Sequence, residues 1–345
     1  MGKQGGIFIP KGDTTIMIRK EDKVKIEDRI LSLMEQNNLA PWRCPWLFKN
    51  SDYGFQNKNP YRGINAVMTS MYRASMGFNS TNWFTNNKIN NLNGYFYDEK
   101  KKRYVKDKEG KYDTFYHIKK GARSIPIIKY NVFAKTDAKT GEPLLDDNGN
   151  EILIPSIRVY NVFNGDDIVG YDASKCEEQN KGTIADDTAS INSAIEFQND
   201  ILSKYTNHPP VFNDGGNRAY YIPSKDSVHL PSIDSFTKWQ EYASTLAHEL
   251  SHSTGHENRL KRNMEGIFGT NSYSKEELVA EFSAAMVLSK YGVKEIPIEN
   301  SASYIKNWAD HIRANEGILY DAIQQAQKAS DLILGIQYKE GEENK

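Results

Sequence analysis

The chain has 345 residues, 38% hydrophobic and 26% charged, with a formal net charge of -1. That composition fits a soluble globular protein long enough for two domains. Its apolar runs are too short for a transmembrane helix, and the first twenty residues lack the apolar stretch of a secretory signal. Two isolated cysteines, Cys44 and Cys176, are too few for a disulfide framework, so the expected setting is cytoplasmic, with no membrane partner. The near-neutral total hides an asymmetry. Residues 1–170 hold 27 Lys and Arg against 19 Asp and Glu, whereas the remainder holds 17 against 26. A basic first half suggests contact with a polyanion.

Residues 1–20 lack periodicity and read as a flexible arm. Lys23 to Gln36 places apolar residues at Val24, Ile26, Ile30, Leu31, Leu33 and Met34, the pattern of an amphipathic helix. Pro41-Trp42-Arg43-Cys44-Pro45-Trp46 ends it, and Ala66 to Met76 reads as a second helix. From Thr81 to Gly170 the pattern turns to strands and hairpins. Ile125 to Phe133 and Ile157 to Phe163 are strand-like, and turn signals lie at 107–111 and 146–150. Polar residues 171–189 read as a linker. Beyond them come a helix from Ser190 to Ser203, short strands at 218–223 and 227–231, a helix from Trp239 to His252, and another from Lys275 to Lys290. One or two more fall between Ser303 and Leu334, and residues 338–345 form a tail. The expected fold is α+β: an N-terminal α+β domain over 21–170, then a mainly helical domain with a small sheet over 190–337.

The chemistry concentrates in His248-Glu249-Leu250-Ser251-His252. Three of the seven histidines fall between positions 248 and 256. On a helix, residues four apart share a face, so His248 and His252 can bind one ion while Glu249 serves as general base. A catalytic zinc needs a third protein ligand and an open position. One pattern puts a histidine ten residues after the first, but that position is Asn258. His256 is two residues early and is the lesser alternative. The other pattern uses a glutamate on a later helix. Ser274 and Glu277 have the spacing of a capping box, which gives Glu277 a structural role. Glu281, flanked by Ala280 and Phe282, has no such explanation, and a carboxylate there is costly unless it meets a cation. Glu281 is therefore the expected third ligand, with Glu277 behind it or as the runner-up. At such a zinc the pKa of water falls to roughly 7, and Glu249 carries the proton toward a leaving amine.

The run from Tyr220 to Pro231, the run from Tyr242 to His256 followed by Arg259-Leu260, the stretch Glu276 to Glu281, and Ala326 to Asp331 together resemble the C-terminal domain of ArdC-type antirestriction proteins. The resemblance implies a zincin-like metallopeptidase domain with Glu281 at the third ligand position. Ser251 and Ser253 depart from it, standing where larger residues are expected beside the histidines. Pro41-Trp42, Pro45-Trp46, Pro60 to Asn65, Trp83-Phe84-Thr85, Lys119 to Arg123 and Tyr160 to Asn164 resemble the same family's single-stranded-DNA-binding domain, and the charged hairpins near 97–115 and 134–155 look longer than its pattern. Single strands are bound by positive grooves with aromatic faces for stacking. The residues expected to do this are Trp42, Arg43, Trp46, Tyr61, Arg62, Asn65, Trp83, Lys119, Lys120 and Arg123. The functional expectation is an antirestriction protein of a mobile element that binds single-stranded DNA and cleaves a host protein. Its rival is a DNA-coating protein whose metal site is structural or vestigial.

Overall fold

The computed structural model describes residues 20–48, 51–57, 59–98, 100–107, 115–137, 140–146, 149–172, 191–214, 216–264, 271–293 and 302–337. The expected arm up to residue 19, the linker core at 173–190 and the tail lie outside them, as does Cys176.

The first half is built on a four-stranded sheet. Its strands are β1 (Tyr53–Gly54), β2 (Asn82–Thr85), β6 (Ile125–Ala134) and β7 (Leu153–Asn164), in the order β1-β2-β7-β6. The long β6–β7 hairpin pairs Ile125 with Val162 and Ala134 with Leu153. Helices α1 (Lys20–Asn37), α2 (Gly63–Met76) and α3 (Asn86–Leu92) accompany the sheet, with the short hairpin β3 (Tyr95–Asp98) and β4 (Arg103–Lys106) and the pair β5 (His117–Ile118) and β8 (Ile168–Val169). α3 is absent from the periodicity reading because its Asn-rich sequence buries only Ile89.

The second half holds α4 (Ile191–Lys204), α5 (Trp239–Ser253), α6 (Asn271–Lys290), α7 (Ala302–Ala314) and α8 (Ile318–Ile333). A three-stranded sheet of β9 (Val211–Phe212), β10 (Tyr220–Ile222) and β11 (Ser227–His229) runs in the order β10-β11-β9, leaving β10 at an edge. No helix among the described residues is long and apolar enough to cross a membrane.

Two cores explain the arrangement, and α6 belongs to both. Leu278, Phe282 and Met286 pack with α1, α2, α7 and α8, while Ala284, Val287 and Leu288 pack with α4 and α5. A helix apolar on nearly every side belongs in the middle of a fold, so the few carboxylates of α6 stand out as groups with a task. The halves are also joined by polar contacts. Glu27 of α1 is 3% exposed and accepts hydrogen bonds from the N–H groups of Gly317 (2.7 Å), Leu319 (2.8 Å) and Tyr320 (3.0 Å) at the start of α8. A carboxylate there meets otherwise orphaned donors and the positive end of the helix.

Candidate metal centre

α5 starts where Glu241 reaches back to the N–H groups of Thr237 (3.1 Å) and Lys238 (3.3 Å). Its apolar face, including Trp239, Tyr242, Leu246 and Leu250, is buried in the second core. The spacing of four then aims His248 and His252 together toward α6. Their Nε2 atoms lie 3.1 Å apart with the rings nearly perpendicular at 82°. The Glu277 carboxylate closes the group, 3.6 Å from His248 Nε2 and 3.6 Å from His252 Nε2. One ligand atom from each of the three lies within 4.8 Å of the others.

The donor set fits a divalent ion. His252 Nδ1 faces Glu276 Oε1 at 3.3 Å, which places the proton on Nδ1 and leaves the Nε2 lone pair turned toward the cluster. Burial works against charge on His248, yet Glu277, Glu281 and Glu249 raise its pKa to about 9. The field at the centre of the cluster thus favours a cation. Two imidazole nitrogens and one carboxylate oxygen also leave the open coordination position that a catalytic site needs. Glu249 is 8% exposed and accepts a hydrogen bond from the Tyr221 N–H of β10. Burial raises its pKa and the histidines oppose the rise, the net shift being upward. A carboxylate of raised proton affinity beside a cluster of this kind is suited to take up and return a proton.

The structure brings Glu277 to the two histidines, where the sequence expectation had Glu281. Glu281 is not in the cluster: its Oε1 pairs with Arg43 Nη2 at 2.8 Å. Glu277 is free of the expected capping role because α6 begins at Asn271, three residues before Ser274. His256 also stands apart. α5 ends at Ser253, and His256 Nδ1 accepts from the Asn258 N–H at 3.3 Å and lies 4.0 Å from Asp226.

Support residues that sequence reasoning missed hold the cluster. Arg262 donates to both oxygens of Glu276, from Nε at 2.9 Å and Nη2 at 2.6 Å, and also to Ser251 O (2.8 Å) and Thr254 Oγ1 (2.6 Å). Burial pushes Glu276 up, but Arg262 and His252 hold its carboxyl below the usual range. At Gly255 a Cβ would lie 2.7 Å from Met264 Sδ and 3.1 Å from Arg262 Nη2, so a larger residue there displaces these side chains. The acidic pair Glu276-Glu277 was visible in the sequence; its division of labour depends on Arg262 folding back. Ser251 and Ser253 are fully buried and bond to Ala247 O (2.7 Å) and Leu250 O (2.6 Å), where larger side chains have no room. Beside the cluster, Tyr221 and Arg259 are both engaged with Asp226, and Tyr220 is stacked on His229.

Comparison with known proteins accounts for both halves. Residues 20–163 match the family described as the N-terminal domain of anti-restriction factor ArdC, and residues 205–325 match the family described as zincin-like metallopeptidase. The crystal structure of the antirestriction ArdC protein from the R388 plasmid, metal-free, superposes with a TM-score of 0.62 at 28% identity, covering 90% of this chain and 96% of that one. The chain is ArdC-like. The Mn(II)-bound form of the R388 protein matches equally, with a TM-score of 0.63 at 27% identity over 90% of this chain and 96% of that one. A DNA primase TraC of Escherichia coli is 26% identical over 341 residues, 94% of the ArdC-like chain, and a second TraC is 26% identical over 318 residues. The chain spans only 28% and 19% of the lengths of these two primases.

The N-terminal residues expected at DNA divide sharply. Trp42 is fully buried, its ring set edge-on against Phe282 (5.1 Å) and Trp308 (5.7 Å) and its Nε1–H donated to Tyr304 Oη at 3.0 Å. Trp83 is 1% exposed and donates to Asp52 Oδ1 at 3.0 Å. Trp42 presents no face to a base, and Trp83 reaches the surface only where it lines a groove on the sheet, so packing between the halves and beneath the sheet takes up most of both rings. Arg43 is paired with Glu281, Arg62 with Asp331, and the Asn65 side chain bridges the backbone N–H (2.8 Å) and carbonyl (2.7 Å) of Ile128. The Trp46 side chain lies outside the described residues. Lys119, Lys120 and Arg123 are exposed around Gly121, and Tyr61 lines a groove on the sheet.

Proposed function

We propose that this ArdC-like chain is a metal-dependent peptidase whose N-terminal half binds single-stranded DNA, so that hydrolysis of a host protein counters restriction. The observation that carries it is the convergence of His248, His252 and Glu277 with Glu249 buried beside them and anchored by Tyr221. A purely structural metal site has no use for a proton-accepting carboxylate beside its ligands. Zinc is the proposed ion, and the Mn(II)-bound R388 relative makes another divalent metal a reasonable substitute.

His248, His252 and Glu277 would hold the ion, which when bound supplies Lewis-acid polarisation of a carbonyl and acidifies water. Glu276, fixed by Arg262, keeps the His252 ring in the orientation that ligation needs. Glu249 removes the proton from the attacking water and returns it to the leaving amine. Edge strand β10, next to α5, offers main-chain groups along which an extended peptide can pair. Exposed Lys119, Lys120 and Arg123 supply phosphate contacts on the other half.

Substituting Glu249→Gln keeps the shape and removes the base. The variant should retain metal and fold, lose peptide hydrolysis by at least about 10²-fold, and lose protection of DNA in a restriction challenge. Intact protection by this variant would refute the peptidase as the means of antirestriction and return the function to DNA coating.

A further inference from the structure

We propose that the groove between Phe55, Tyr61 and Tyr160, rimmed by Lys88 and Lys129 with Arg158 across the ladder from Lys129, holds a nucleobase and its adjoining phosphates from single-stranded DNA. The inference rests on the DNA-binding half of the proposed function and gives it a place on the sheet.

Shape is the first observation. A solvent-open cavity of about 290 Å³ lies on the four-stranded sheet, with Trp83, Ile127 and Ile128 in its floor and the rings of Phe55, Tyr61 and Tyr160 in its lining. Phe55 is braced on one side by Phe84, with ring centroids 4.3 Å apart and planes at 21°. A ring held this way can accept a flat partner with little loss of side-chain freedom. The Tyr61 hydroxyl has no hydrogen-bond partner among the described residues and is free to bond a base edge.

Charge is the second observation, and it is independent of the first. Lys88 and Lys129 line the cavity, the Lys88 ammonium lying 5.9 Å from the centre of the Phe55 ring. Lys129 of β6 is directly opposite Arg158 of β7 in the antiparallel ladder, on the same face as the Ile127–Tyr160 pair. Like charges directly opposite in a ladder are destabilising. No carboxylate among the described residues pairs with Lys88, Lys129 or Arg158. The Arg158 guanidinium lies over the Phe133 ring, 5.2 Å from its centre, and an anion beside Lys129 offsets the like-charge repulsion; a phosphate next to a stacked base meets the requirement. Base stacking with flanking phosphate contacts is the mode by which single strands are bound without a duplex groove.

Lys129→Glu in the full chain tests this, because it acts in opposite directions on stability and on binding. Facing Arg158, the new carboxylate relieves the like-charge pair, so thermal stability should hold or rise. Affinity for a labelled oligothymidylate should fall at least tenfold. The slope of log affinity against log salt should flatten by about 1.4, the value for two lost phosphate contacts on a single strand. An oligonucleotide carrying 5-iododeoxyuridine should crosslink to Phe55, Tyr61 or Tyr160 in the wild type, and less in the variant. Unchanged affinity and salt slope in Lys129→Glu, with crosslinks mapping elsewhere, would overturn the groove while leaving DNA binding standing. Failure of the wild type to bind the oligonucleotide at all would instead overturn the DNA-binding reading itself.

Discussion

Glu277 and Glu281 are one helical turn apart on α6, and exchanging each for glutamine distinguishes the proposed metal ligand from its neighbour. Glu277 lies 3.6 Å from both histidine nitrogens with a carboxylate oxygen toward each. Glu277→Gln removes an anionic ligand, and the loss should exceed the 10- to 100-fold cost typical of groups that only support ligands. An expected weakening of at least ~100-fold corresponds to about 2.7 kcal/mol. Glu281 pairs with Arg43 at 2.8 Å and acts on His248 only through its field, so Glu281→Gln removes a charge but no group of the cluster. Its effect on metal affinity should stay within about 1 kcal/mol, the scale of a partly screened ion pair. Titration of apo-protein with Zn²⁺ or Mn²⁺ by calorimetry, or against a chromophoric chelator, reads both. A large loss in Glu281→Gln with near-normal affinity in Glu277→Gln would refute the assignment of the third ligand.

Three further outcomes follow from the packing. Arg262→Gln breaks the double contact to Glu276 and frees the His252 ring, so metal affinity should fall about 10- to 100-fold; unchanged affinity would show that the strap merely packs. Asp52 accepts from Ser70 (2.9 Å), Thr69 (3.1 Å), Arg73 (3.0 Å) and Trp83 (3.0 Å) while fully buried. Asp52→Ala should therefore cost about 2–5 kcal/mol in denaturant unfolding, because it removes the acceptor of the buried Trp83 indole N–H and Ser70 hydroxyl; a loss under 1 kcal/mol would contradict that network. Burial works to raise Asp226, but Arg259 and the Tyr221 hydroxyl outweigh it and hold the carboxyl below the usual range. A depressed folded-state pKa gives a contribution present above the unfolded value of about 3.9 and lost as pH falls through the folded value. Asp226→Asn should lower stability at neutral pH and flatten the acid limb below about pH 4; parallel stability curves for variant and wild type would refute this.

How far these features could be read from sequence depends on the range of the interactions that decide them. His248, Glu249 and His252 lie within one helical turn, so the helix period alone brings them together. The third ligand does not follow from local pattern, because Glu277 and Glu281 share a face of α6. What separates them is Arg43, more than two hundred residues away, which occupies Glu281. The capping argument misplaced Glu277 because the start of a helix is its least legible part, and α6 starts before Ser274. Trp42 and Trp83 show the same limit on the other half. An aromatic amid basic residues reads equally as a stacking platform or as core, and only α6 and α7 closing over Trp42, and Asp52 lying beneath the sheet, decide for core. The long strands β6 and β7 were plain from their alternating pattern, whereas the facing of Lys129 and Arg158 needed the register of the hairpin.

The most direct test of the account is a crystal structure of the chain soaked with Mn²⁺ or Zn²⁺, with anomalous data collected at the metal edge. The account predicts one anomalous peak within about 2.0–2.3 Å of His248 Nε2, His252 Nε2 and a Glu277 oxygen, with Glu249 beside it and Glu281 still on Arg43. A peak ligated by Glu281 or His256, or no peak between the two histidines at saturating metal, would contradict it.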